Sequence, residues 1–86
     1  MNIYVGNLDF KVNEDELGAV FEKYGSVSST RIITDKYNGR SKGFGFVTMD
    51  DEEEAKKAID ELNGTLLESR NIVVNEAKPR SNSYNN

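Results

Sequence analysis

Apolar and polar residues alternate or recur along this chain with two periods, two and about 3.6, and the change from one to the other marks its elements. In "NIYVGNL", Ile3 and Val5 share one face while Tyr4 and Gly6 share the other, the pattern of a short strand. "NEDELGAVFEKYG" switches to helical spacing, with Leu17, Val20, Phe21 and Tyr24 forming one apolar stripe. Asn13 is a suitable N-cap, Glu16 stands three residues on as in a capping box, and Gly25 is a natural stop. "SVSSTRIITD" returns to strand character. Val27, Thr30 and Ile32 are expected inward, with a bulge absorbing the irregular spacing, and Arg31 and Ile33 outward. "KYNGRS" carries Asn38-Gly39, a hairpin-turn signal, ahead of the strand "KGFGFVTM".

"DDEEEAKKAIDELNG" reads as a second helix, capped by Asp50 or Asp51, with acids at the positive end of its dipole and an Ala55, Ala58, Ile59, Leu62 stripe. "NIVVNEA" is read as one last strand, with Ile72 and Val74 inward and Val73 and Asn75 outward. The order is β-α-β-β-α-β. Each helix has a single apolar stripe, which predicts an α+β, ferredoxin-like sandwich: a four-stranded antiparallel sheet with both helices on one face. The domain is expected over residues 1–80, with 81–86 a short polar, disordered tail.

The opposite face of that sheet has no helix to cover it. On the third strand Gly43, Gly45, Val47 and Met49 fall on the helix side, where glycine permits close approach, and Lys42, Phe44, Phe46 and Thr48 fall on the open side. Two phenylalanines and a tyrosine therefore face solvent, an arrangement that asks for an occupant.

Composition narrows what that occupant is. The 86 residues contain no Cys and no His, which removes disulfides, the common zinc ligands and the usual general base. The acids from Asp50 to Glu54 lack the alternation and glycine of a calcium loop, and no P-loop pattern occurs. Neither an enzyme, a metal nor a cofactor is expected. No signal-peptide pattern or apolar run of about 20 residues is present, so a soluble, cytoplasmic monomer is the expectation. The net charge of −4 is unevenly placed. The two helices with their caps hold eleven acids and three bases, net −8, and the remainder is +4, with Arg31, Lys36, Arg40, Lys42, Lys78 and Arg80 on or beside the open face. Such a chain can present an anion-binding side despite its overall sign.

"KGFGFVTM", Lys42 to Met49, resembles the octamer of the RNA-recognition motif family, Lys/Arg-Gly-Phe/Tyr-Gly/Ala-Phe-Val-x-Phe/Tyr, and "IYVGNL", Ile3 to Leu8, resembles its companion hexamer. The similarity spans roughly residues 1 to 80 and is nearest to small stand-alone bacterial members and to glycine-rich RNA-binding proteins. Two positions depart from the pattern: Met49 replaces a final aromatic that alternation points to the core, and "ESR" stands where glycine is frequent before Arg70. The resemblance implies single-stranded RNA binding, with single-stranded DNA as a related ligand, and a role in post-transcriptional regulation. It implies that Tyr4 and Phe44 each stack a base, that Phe46 packs between two sugars and that Lys42 meets a phosphate. Arg31, Ile33, Thr48, Val73 and Asn75 complete the face, Arg40 lies in a loop that closes over it, and Asn7, Lys78 and Arg80 are placed to reach base edges. A protein-interaction module using the same face is the alternative.

Overall fold

The structure, a computed structural model, describes residues 1–77. Lys78, Arg80 and the expected tail lie outside the described residues.

Strand β1 (Asn2–Gly6) leads through a turn to helix α1 (Glu14–Glu22), followed by β2 (Val27–Thr34), β3 (Ser41–Met49) and helix α2 (Glu52–Leu62). The chain then forms a small hairpin, β4 (Leu66–Leu67) and β5 (Arg70–Asn71), before β6 (Val73–Glu76). The main sheet has the order β2-β3-β1-β6 and every pairing in it is antiparallel. The consequence is that β1 and β3, which carry the aromatics, are the two central strands.

Both helices start where side chains replace missing backbone acceptors. Glu16 N–H donates to Asn13 Oδ1 at 2.8 Å, and Glu54 N–H donates to Asp51 Oδ1 at 2.9 Å, which settles the second cap on Asp51. Three acids occupy the first turn of each helix, where the dipole favours them.

The apolar stripes meet the sheet as their spacing requires. Leu17 and Phe21 of α1 and Ala55, Ala58 and Leu62 of α2 are buried with Ile3, Val5, Val47, Met49, Ile72 and Val74 of the sheet. Met49 is fully buried, so the octamer's last position serves packing. The expected irregularity of β2 appears as a register shift between Val27 and Ser29, where β2 carries one extra residue; at a second shift, between Ile32 and Thr34, the two extra residues lie on β3, between Ser41 and Gly45.

Three local readings change. The last strand is not continuous: Leu66 pairs with Asn71 and Leu67 with Arg70 around a turn in which Glu68 adopts φ 58. A two-residue hairpin is too short to leave a periodicity. Asn38-Gly39 does not close a two-residue turn. It sits inside the longer loop from Asp35 to Arg40, where Asp35 N–H donates to Arg40 O at 2.7 Å and Asp35 Oδ1 accepts from Tyr37 N–H at 2.7 Å. Gly45, finally, is small because of a neighbouring strand and not because of a helix. A Cβ there would collide with Arg31 O and lie 3.1 Å from Ile32 Cα, so β2 crosses β3 too closely for any side chain.

Candidate nucleic-acid interface

The register places the face of the sheet without helices residue by residue. Tyr4 lies opposite Phe46 on β3 and Asn75 on β6, and Phe46 lies opposite Arg31 on β2. A single row across all four strands therefore reads Arg31, Phe46, Tyr4, Asn75. One step along, Asn2 and Ser29 flank Thr48, whose hydroxyl donates to Asn2 Oδ1 at 2.9 Å.

The three rings form a compact triangle. Ring centroids of Tyr4 and Phe44 are 6.1 Å apart, those of Tyr4 and Phe46 5.9 Å, and those of Phe44 and Phe46 6.2 Å. The planes of Tyr4 and Phe44 differ by only 32°, whereas Phe46 stands at 65° to Tyr4 and 89° to Phe44. Two rings with similar orientation and a third set edge-on are mutually supporting aromatic contacts. All three are half-buried, sharing cover with one another but reaching solvent. Tyr4 lies over Gly6, where a Cβ would come within 2.8 Å of its ring carbons, so the glycine of the hexamer makes room for the tyrosine.

The surrounding expected residues divide into exposed and engaged. Arg31, Lys42, Asn75 and Arg40 are exposed, and Val73, opposite Gly6, is 42% exposed. Ile33 is half-buried, opposite the stretch of β3 that carries two extra residues. Asn7 is engaged at both ends of its amide: Nδ2 donates to the Asn71 carbonyl at 2.7 Å, and Oδ1 accepts from Arg70 Nε at 3.1 Å and Nη2 at 2.8 Å. Its φ of 55 is a conformation that asparagine tolerates better than most residues. The amide oxygen is thus committed to holding Arg70 in place, and one of the two Nδ2 hydrogens to Asn71.

Two residues absent from the sequence reading of the site stand next to it. Phe10 is 71% exposed in the turn after β1. Arg70 is exposed beside Asn7. In the sequence, Phe10 belongs to neither periodic pattern, and an apolar residue outside both was the available signal. Arg70 carried none, because its partner lies 63 residues away.

Nearby carboxylates are held by the chain itself. The Ser69 hydroxyl hydrogen-bonds Asp9 Oδ2, and Lys11 N–H donates to Asp9 Oδ1 at 2.9 Å. The Ser69 hydrogen bond, helped by that from Lys11, keeps the Asp9 carboxyl below the ordinary aspartate range. Glu16 moves the other way: a hydrogen bond shared with the Glu68 carboxyl, then the partial desolvation and the charge of Glu68, raise it above the ordinary glutamate value. Among the described residues, no group of three or more His, Cys, Asp or Glu is arranged to hold a metal ion, and no helix is long and apolar enough to cross a membrane.

An antiparallel β2-β3-β1-β6 sheet, two helices behind it and an aromatic triangle in front define a binding domain. The family model described as RNA recognition motif matches residues 3–73, and the chain belongs to that family. RbpA of Synechocystis sp., named for RNA binding, is 48% identical over 82 residues, covering 95% of this chain and 81% of its own. Glycine-rich RNA-binding protein 10 of Brassica napus is 48% identical over 77 residues, 90% of this chain but 46% of that protein. Among solved structures, RNA-binding protein PG1 superposes with a TM-score of 0.90 at 50% identity, covering 93% of this chain and 96% of that one. The Sxl-lethal protein/RNA complex superposes with a TM-score of 0.84 at 40% identity, covering 88% and 47%. With this membership, the chain is a binder and not an enzyme.

Proposed function

We propose that this domain binds single-stranded RNA on the uncovered face of its sheet and acts in post-transcriptional regulation as a cytoplasmic monomer. The observation that carries the reading is the triangle of Tyr4, Phe44 and Phe46, about 6 Å on a side, on a face that neither α1 nor α2 covers. Bases expose π-faces that stack on such rings, at roughly 1–3 kcal/mol per base. The similar planes of Tyr4 and Phe44 suit two stacked bases, and the edge-on Phe46 suits packing against sugar. Arg31 at the β2 end of the row, and Lys42 farther along β3, supply cations for the backbone. Relatives named for RNA binding, and a similar structure solved as a protein/RNA complex, support the same ligand.

Few cations and a negative whole-chain charge imply affinity led by stacking, with a modest phosphate contribution. Titration with a short unstructured RNA, followed by backbone amide shifts, tests this directly. Shifts are expected in β1, β3 and β6 around Tyr4, Phe44, Phe46 and Asn75, with α2 from Ala55 to Leu62 quiet. Shifts confined to the helices would refute the sheet as the RNA site and favour a protein-interaction role.

A further inference from the structure

The main sheet ends in two edge strands, β2 and β6, whose outward backbone groups lack a neighbouring strand. On β6, Val74 N–H donates to Asn63 Oδ1 at 2.9 Å. On β2, Ile32 N–H donates to Glu14 Oε2 at 3.0 Å. Glu14 is an exposed residue at the start of α1, so a solvent-facing carboxylate stands where the carbonyl of a fifth strand would. The register from Thr30 to Ile32 is regular, which puts the N–H and C=O of Thr30 on the same outer edge.

Helix α1 runs beside this edge and leaves a groove. Three open recesses of about 490, 360 and 450 Å³ follow one another along it. The first two share Glu14 and Asp15, and the second and third share Glu22 and Val27, so they form one continuous channel. Its length and openness suit an extended chain better than a small ligand, which an enclosing pocket would bury.

The charge of the channel is of one sign. Glu14, Asp15, Glu22 and Glu54 line it, and no lysine or arginine among the described residues does. That disfavours RNA and favours a cationic occupant. Glu14, Gly18 and Glu22 are spaced by four and share one side of α1, so the channel meets acid, small residue and acid in turn. The helix rises about 12 Å from Glu14 to Glu22. Four residues of extended chain cover about 13 Å, and alternate side chains share a face.

We infer that the β2 edge and α1 form a docking channel for an extended basic segment of a partner protein. The segment adds as a fifth strand, with lysine or arginine at i and i+4 beside Glu14 and Glu22 and a larger apolar side chain at i+2 over Gly18 and Ala19. One of its carbonyls takes Ile32 N–H and releases Glu14 to meet the cation. Tyr4, Phe44 and Phe46 remain free, so partner and RNA can be held together, and the channel stands whether or not the open face takes RNA.

The probe is the acetylated, amidated peptide Thr-Lys-Thr-Val-Thr-Lys-Thr, titrated into the full chain and followed by backbone amide shifts. A concentration of about 5 mM is enough to populate a complex of millimolar Kd. Saturable shifts are expected in Val27–Thr34 and Glu14–Glu22. Exchanging both lysines for glutamate should abolish them. Methylating two backbone nitrogens on the pairing edge of the peptide should weaken binding by about fivefold or more, as two strand hydrogen bonds are lost. Glu22→Gln should weaken the probe by about two- to fivefold, the range for one exposed ion pair, and leave RNA affinity unchanged. The proposal is overturned by no shifts at about 5 mM, by equal binding of the glutamate peptide, or by shifts confined to the open face. Equal binding of the methylated peptide would leave no fifth strand and overturn it too. A ten-nucleotide RNA that shifts Glu14–Glu22 and Val27–Thr30 would assign the channel to RNA instead.

Discussion

Phe44→Ala and Val47→Ala, three residues apart on one strand, should separate function from stability. A ring simply standing in water would cost the fold little, within roughly 0.5 kcal/mol. Phe44 does more than that, because it is half-buried and meets both Tyr4 and Phe46 at about 6 Å. At about 0.5–1.5 kcal/mol per aromatic pair, and with the rings still partly wet, its loss should cost about 1–2 kcal/mol of stability. Its larger effect should fall on RNA, a further loss of about 1–3 kcal/mol in binding as one stacked base is released. Val47 is fully buried against the helices. Removing two methyl groups at about 0.8 kcal/mol each, plus the cavity they leave, predicts about 2–3 kcal/mol of lost stability with unchanged RNA affinity. A domain of this size commonly holds about 4–12 kcal/mol, so both variants should remain folded at room temperature. Urea midpoints at constant m report the first quantity and anisotropy titrations of the folded variants report the second. The decisive comparison is the ratio of the two losses. If Val47→Ala weakens RNA binding in a folded protein as much as Phe44→Ala does, the alternation of faces along β3 does not separate core from ligand, and the proposed interface fails.

Gly45→Ala should destabilise more than its single methyl suggests, toward the upper part of the roughly 1–3 kcal/mol of overpacked sites, because the added carbon meets Arg31 and Ile32 backbone rather than a side chain able to turn away; a chemical-denaturation midpoint equal to wild type would show that β2 yields easily. Glu68→Gln tests the carboxyl pair. Folded Glu16 keeps its proton to a higher pH than the unfolded chain does, so the folded state binds more protons and stability falls as pH rises from about 4.5 through the raised folded value. The substitution should lessen that fall, giving a melting temperature above wild type at about pH 7 and no gain at about pH 3, and an equal change at both would assign the effect to something other than the shared proton.

Much of the architecture was legible in the sequence because it is encoded locally. Periods of two and 3.6 reflect how side chains leave a strand and a helix, and they placed Ile3, Val5, Val47, Ile72 and Val74 on the core side, where the structure has them buried. The caps at Asn13 and Asp51 involve residues three apart, so they too could be read from short segments. The central aromatics followed from alternation once the helices were assigned to one face. Their triangle did not: the distances among Tyr4, Phe44 and Phe46 depend on the register of β1 against β3, which no short segment contains. The same holds for the reason Gly45 is glycine, which is the approach of Arg31 O on a bulged neighbour. Asn7 shows the limit most clearly. Its type and place suit a contact with a base edge, and tertiary folding adds partners that no short segment shows, bringing Arg70 and Asn71 to its amide from more than 60 residues away. A side chain with several hydrogen-bonding options takes the partners that folding supplies, and those partners are set by strand register and loop closure, not by its neighbours in sequence.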